Sequence, residues 1–261
     1  MPLRIDTAAG PRFLPTSPEH PLKRLVAAGS GDVWTLAPAF RSGERGQRHA
    51  PEFRMLEWYR VGWDDRRLAL ETIALLAELT GLGAEHDTLT WRDAFHRHAG
   101  IDPLHASDAE LFVRLGTDAA VAAGDRRVAL DLLLTREVEP QLGRGRWTIL
   151  TDYPADQCAQ ARLRPGADNA PVAARFELYR DGVELANGYH ELTDGTALSA
   201  RLADELASRR DGEQLDQRFL AAMAHGLPDC AGVAVGFDRV VMLALGLPTI
   251  TDAQAFGWNQ G

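Results

Sequence analysis

The stretch Phe53-Arg54-Met55-Leu56-Glu57-Trp58-Tyr59 decides how this chain is read. Its polar and apolar residues alternate as on a strand, so Phe53, Met55, Glu57 and Tyr59 share one face and Arg54, Leu56, Trp58 and Arg60 the other. A carboxylate among aromatic rings on a sheet face is costly unless a cation or a donor meets it. Glu57 therefore either floors a pocket for an ammonium group or pairs with a nearby arginine. Upstream, 33–40 reads as a second strand. The polar loop from Arg41 to Pro51 joins the two and offers Arg41, Arg45, Arg48 and His49. Such a set holds a polyphosphate or forms a solvated hairpin tip. The glycine patterns of the P-loop and of the dinucleotide fold are absent.

Two later stretches carry the same kind of chemistry. Glu184 and Glu191 are seven residues apart on a predicted strand over 183–190. An odd separation places them on opposite faces unless the strand bulges, and Asn187-Gly188 is a suitable place for a bulge. They then either share a metal ion or stand as one exposed and one paired carboxylate. From Gly232 to Arg239 a strand of small residues, 231–236, turns into an apolar helix, 237–246. Arg239 falls in the first turn of that helix, where a cation opposes the helix dipole. It faces an anion there, or it pairs with Asp238 or another acid.

The remaining elements fill out an α+β order, antiparallel strands with helices inserted and more strands after. Helices are predicted at 18–29, 64–80, about 196–209 and 214–225, the second behind an Asp64-Asp65 start that suits a helix N-terminus. Residues 91–140 read as an insertion of short helices. Strands are predicted at 146–152 and 175–180, the latter joined to 183–190 by the hairpin signal Asp181-Gly182. The whole of 1–261 is expected to be a single domain.

Composition bounds the function. The chain has 261 residues, 45% apolar and 25% charged, the ordinary globular mixture, which excludes collagen-like, disordered and disulfide-framework proteins. Cys158 and Cys230 form no metal-binding pattern. No secretory leader or membrane span is read from the chain, and a cytoplasmic location is expected. A net charge of −9 disfavours a sequence-independent nucleic-acid binder. Lys23 is the only lysine, read as the mark of a GC-rich genome.

Taken together, Arg41 to Tyr59, Glu184 to Glu191 and Gly232 to Arg239 resemble the second motif, the carboxylate strand and the third motif of class II aminoacyl-tRNA synthetases of the lysine type. Thr16-Ser17-Pro18-Glu19 followed by Lys23-Arg24-Leu25 is similar to the same group. The wording of 51–60, 184–194 and 226–246 is most similar to paralogues without the anticodon-binding domain, and the resemblance spans about 11–256.

That resemblance implies the class II catalytic fold, an antiparallel sheet flanked by helices. It implies activation of (R)-β-lysine or lysine by ATP and transfer to a lysine side chain of elongation factor P. Arg41 would hold the α-phosphate and, with Arg239, serve catalysis; Arg48 and His49 would lie toward the γ-phosphate. Phe53 and Arg239 would sandwich adenine, with Leu185 and Gly236 beside the nucleotide. Glu184 and Glu191 would ligate Mg²⁺. Ser17, Pro18 and Glu19 would meet the α-side of the amino acid, and Glu57, Tyr59 and Glu191 its amines. Ala234 stands where lysyl-tRNA synthetases usually have glycine. No tRNA and no membrane partner are implied.

The chain departs from the pattern at Ser42-Gly43 and Ala50. The resemblance starts at about residue 11, so the N-terminal first-motif segment, which builds the homodimer interface in the family, is expected to be missing, through a misassigned start or a shortened variant. An impaired regulatory paralogue, or a lysyl-type adenylating enzyme with another acceptor, are the competing functions. The lost segment is expected to uncover Leu22, Val26, Leu36 and 231–246.

Overall fold

A computed structural model describes residues 2–8, 10–208 and 215–257. A short hairpin opens the chain, β1 (Arg4–Thr7) with β2 (Gly10–Phe13). Helix α1 (Glu19–Ala27) and the strand pair β3 (Val33–Phe40) and β4 (Glu52–Val61) follow. Helix α2 (Asp65–Thr80) leads to β5 (His86–Thr90) and the helical insertion α3 (Trp91–His98), α4 (Asp108–Leu115), α5 (Ala119–Ala122) and α6 (Arg126–Leu133). Then come β6 (Trp147–Pro154), β7 (Leu163–Pro165), β8 (Pro171–Arg180) and β9 (Val183–His190). Helices α7 (Gly195–Ser208) and α8 (Gln217–His225), strand β10 (Cys230–Gly236) and helix α9 (Phe237–Leu245) complete the chain. The expected ends at 209 and 214 lie outside the described residues.

The main sheet runs β3-β4-β10-β9-β8-β6-β5, with β7 on β8. Its pairs are antiparallel except β5 with β6, which are parallel. This parallel pair and the β1–β2 hairpin are absent from the sequence reading. His86–Thr90 is too short and too polar to declare itself, and it is a strand because β6 lies beside it.

Local chemistry explains the boundaries. Asp64 caps α2 by accepting from the Arg67 amide at 2.8 Å. At the β8–β9 turn, Asp181 and Gly182 have φ of 48° and 72°, the doubly left-handed turn that suits a hairpin's twist. Helix α2 packs on one face of the sheet, through Leu68, Ile73 and Leu76 against Trp58, Phe176 and Val235. The insertion α3–α6 packs Phe95, Leu111 and Leu133 into an apolar core shared with Leu89, Leu150, Tyr153 and Tyr179 of the sheet.

The opposite sheet face carries the site. Leu22 and Val26 of α1 are buried against Phe219 and Met223 of α8, and 230–235 is largely buried. For Leu22, Val26 and 231–235 the expectation of lost cover is therefore wrong, because α1 packs on α8 and β10 lies inside the sheet, whereas Leu245 in the same expected stretch is exposed. Leu36 and Trp34 on the edge strand β3 are exposed. Among the described residues no helix is long and apolar enough to cross a membrane, and both cysteines are free and buried.

Candidate active site

Registry across three central strands builds one cavity. Glu57 pairs with Ala234, Tyr59 with Gly232 and Met55 with Gly236 across β4–β10. On the far side of β10, Ala234 faces Asn187 and Gly232 faces Tyr189. Side chains at these positions share a face and line a cavity of about 270 Å³, with Phe53, Glu184, Glu191, Arg41, Arg48 and Arg239.

Glu184 reaches this face through a bulge. Leu178 pairs with Ala186 but Tyr179 pairs with Glu184, so β9 carries one extra residue, Leu185. Glu184 and Glu191 thus meet one cavity despite their odd spacing, the first of the two arrangements that the sequence left open. The irregularity lies at Leu185 and not at Asn187-Gly188, where β9 pairs regularly with β10. Gly188 is needed for another reason: a Cβ there would lie 2.4 Å from the Phe176 ring.

One end of the cavity is cationic. Arg239 donates to the Glu184 carbonyl at 2.8 Å, to the Arg48 carbonyl at 3.1 Å and to His49 Nε2 at 2.8 Å, and its guanidinium lies 3.6 Å from the Glu184 carboxylate. Asp238 is not its partner. That carboxylate accepts instead from the Arg54 amide and the Gln254 side chain. Partial burial and the Arg239 charge hold the His49 imidazole below its ordinary value, which keeps Nε2 available as an acceptor. Arg41 stacks 5.2 Å from the Phe53 ring and lies 3.7 Å from Glu44. Arg48 donates to the Gly182 carbonyl at 2.8 Å. Gly236 leaves its side of the cavity open, since a Cβ there would meet only Arg239 Cδ, at 3.5 Å.

The other end is anionic. Tyr59 Oη donates to Glu57 Oε1 at 2.8 Å, while the buried Glu57 Oε2 has no hydrogen-bond partner. Among the described residues no arginine pairs with Glu57. Burial and the nearby Glu19 push its carboxyl up to about 8. Lys23 supplies the cation that the sequence reading left unassigned: its Nζ lies 2.7 Å from Glu19, 2.7 Å from Glu191 and 2.9 Å from Gln160 Oε1. Burial alone would raise Glu19, yet Lys23 holds it below its ordinary value. Burial pushes Glu191 up to about 7 in spite of the same ammonium.

Of the predicted site residues, Ser17 lines the cavity and its Oγ accepts from the Glu19 amide at 3.3 Å. Pro18 does not line it; as the residue that opens α1 it is buried behind the wall. Leu185, Gly236 and Ala234 all line the cavity. Asn187 and Tyr189 were missed, although with Glu191 they follow the period of two along β9. Gly232 was missed as well: a Cβ there would lie 2.3 Å from the Tyr59 ring and 2.7 Å from Glu191 Oε1.

Among the described residues no group of three or more metal-ligating side chains is assembled. Mg²⁺ asks for less, one or two carboxylates with substrate phosphates completing its shell. Glu184 fits that role: it is half-buried beside the cationic end, and burial with the neighbouring Glu177 pushes it up to about 7. Glu191 already has Lys23 as its counter-ion.

A profile of the tRNA synthetases class II (D, K and N) matches residues 3–260. An elongation factor P–(R)-β-lysine ligase of Klebsiella pneumoniae subsp. pneumoniae is 44% identical over 254 residues, 94% of this chain and 77% of that protein. The ligase of the same name from Yersinia enterocolitica is 42% identical over 252 residues, 94% of this chain and 77% of that protein.

Proposed function

The chain belongs to the class II tRNA synthetases (D, K and N), a family of ATP-dependent amino-acid ligases, and on that premise we propose that it activates (R)-β-lysine or lysine as the adenylate and passes it to a lysine of elongation factor P. One observation carries this reading. The buried Glu57 Oε2 has no partner and stands on the same sheet face as the cationic end, so an amino acid with a distal ammonium fits between them.

In the first step a substrate carboxylate oxygen bonds to the α-phosphorus, the bond to the β-phosphate bridge breaks, and pyrophosphate leaves. The protein needs no nucleophile for this. It needs in-line placement and positive charge against the developing phosphorane. Arg41 and Arg239 supply that charge, and Arg48 and His49 lie toward the outer phosphates. Phe53 offers its ring to adenine, with Arg239 across from it and Leu185 and Gly236 alongside. Mg²⁺, when bound, adds charge on the phosphates, with Glu184 as its principal ligand and Glu191 in support.

Glu57 and Tyr59 hold the distal ammonium, and Ser17 and Glu19 lie at the other amine. Ala234 sits between Glu57 and Asn187 in register, so its methyl group shapes the space between the two amines. In the second step the acceptor amine attacks the adenylate carbonyl and AMP leaves, carrying the electron pair of the broken bond.

Pyrophosphate exchange with (R)-β-lysine and with lysine, followed by mass measurement of elongation factor P, tests the proposal. Exchange that depends on a diamino acid, and a lysyl or β-lysyl mass on the factor, are the expected results. Exchange without modification of the factor would move the acceptor elsewhere. No exchange would support the impaired paralogue.

A further inference from the structure

Lys23 stands apart from every other basic residue. The chain has 28 lysines and arginines together, and Lys23 is the single lysine. Its side chain is 1% exposed, and three oxygens, from Glu19, Glu191 and Gln160, lie within 2.9 Å of its ammonium. The ammonium donates hydrogen bonds to Glu19 and Gln160 and stands in an ion pair with Glu191, so all three side chains are held around one charge. A guanidinium is a planar fork and could not serve three such partners from the same place. The stem reaches this point along Tyr59, whose ring centroid is 6.0 Å from Nζ. Both carboxylates that Lys23 joins line the amino-acid end of the cavity, next to Glu57.

Counting charge at that end gives the inference. Three carboxylates, Glu19, Glu57 and Glu191, stand against one built-in ammonium, leaving two negative charges once all are ionised. We propose that Lys23 is a specificity-determining positioning residue, which ties Glu19 to Glu191 and sets the cavity to take an amino acid carrying two ammonium groups. This rests on the adenylate-forming reading above, and it adds the reason why the site is selective for charge. Without Lys23, the ammonium 2.7 Å from both Glu19 and Glu191 is gone, and the bridge between the two side chains with it. The geometry of Glu19 and Glu191 would then no longer be fixed for the substrate.

The test uses calorimetry with (R)-β-lysine, and with the analogue lacking the distal amine, in the presence of a non-hydrolysable ATP analogue. Lys23→Met keeps the length of the side chain and removes the charge. It should weaken diamino-acid binding by about thirtyfold or more, the scale for removing one partner of a buried ion pair. It should also narrow the preference over the monoamine and leave ATP-analogue affinity within about twofold. Lys23→Met with Glu191→Gln removes the orphaned charge, so it should recover melting temperature while its diamino-acid affinity stays well below that of Glu191→Gln alone. Recovery of both together would make Lys23 a structural counter-ion only and overturn the proposal. Unchanged selectivity in Lys23→Met would overturn it while leaving the adenylate reading intact. Binding by the wild type without pyrophosphate exchange would overturn the adenylate reading, and the proposal would stand on the binding data. A wild type that binds no diamino acid would overturn both.

Discussion

Glu57 concentrates the chemistry at the residue scale. Burial first, and Glu19 second, push it up to about 8, so near neutrality the empty site holds it mostly protonated. A substrate ammonium needs the ionised form, and the bond it makes lowers that pKa. Diamino-acid affinity should therefore rise with pH and level off above about 8. Stability follows the opposite sign. A carboxyl raised in the folded state stabilises the fold below its ordinary range and loses that contribution as pH climbs through its folded value. Glu184 and Glu191, both raised to about 7, act in the same direction. The ligand-free melting temperature should fall between the ordinary carboxylate range and mild alkali, and fall less in Glu57→Gln. That variant should lose roughly 2–5 kcal/mol of diamino-acid binding, lose the rise with pH, and keep ATP binding. A rise that survives in Glu57→Gln would assign the titration to another group. The place of Glu57 was legible because alternation alone puts it on one face with Phe53, Met55 and Tyr59. Asn187 and Tyr189 could have been read from the period of two that they share with Glu191, whereas Lys23 was not legible, because its meaning depends on α1 packing over the sheet, which is not a local property.

At the scale of the element, β10 shows how one strand serves both ends of the cavity. Its glycines differ in kind. Gly232 is closed by its own protein, because a Cβ would meet Tyr59 at 2.3 Å and Glu191 at 2.7 Å. Gly236 is open, its nearest neighbour being Arg239 Cδ at 3.5 Å. Gly232→Ala should therefore cost about 1–3 kcal/mol of stability, the usual scale for overpacking, and weaken diamino-acid binding by moving Tyr59. Gly236→Ala should leave the melting temperature unchanged and weaken ATP alone, since only a ligand would meet the new methyl. Thermal melting and calorimetry on the two variants decide this; an equal loss of ATP affinity in both would remove the division of the cavity into two ends. The sequence marked 231–236 as a strand of small residues, but could not rank its glycines. The β9 bulge was half legible in the same way. Spacing demanded an irregularity between Glu184 and Glu191, and Asn187-Gly188 looked the weaker place. Pairing with β10 holds that place regular, so the extra residue falls at Leu185, at the β8 side.

The whole molecule separates its charge as it separates its cores. The insertion α3–α6 packs around Phe95, Leu111 and Leu133 and reaches the cavity only through Tyr189, which lines it and packs against that core, so the sheet with its β3–β4 loop and helices α1 and α9 supply the side chains of the site. Over the full chain the net charge is −9, while Arg41, Arg48 and Arg239 gather at one end of one cavity. A nucleic acid bound without sequence preference needs a basic surface from which counterions are released, and its affinity then falls steeply with salt. ATP needs only the local cluster. Transfer RNA at about 10 μM, inside the usual range of non-specific affinities, should leave pyrophosphate exchange unchanged at physiological salt. Lowering the salt should not reveal inhibition, because the surrounding negative charge repels a polyanion more strongly as screening weakens. Inhibition by tRNA that competes with ATP and grows as salt is lowered would show that the cationic end is open to a long polyanion, and would restore tRNA as a candidate acceptor.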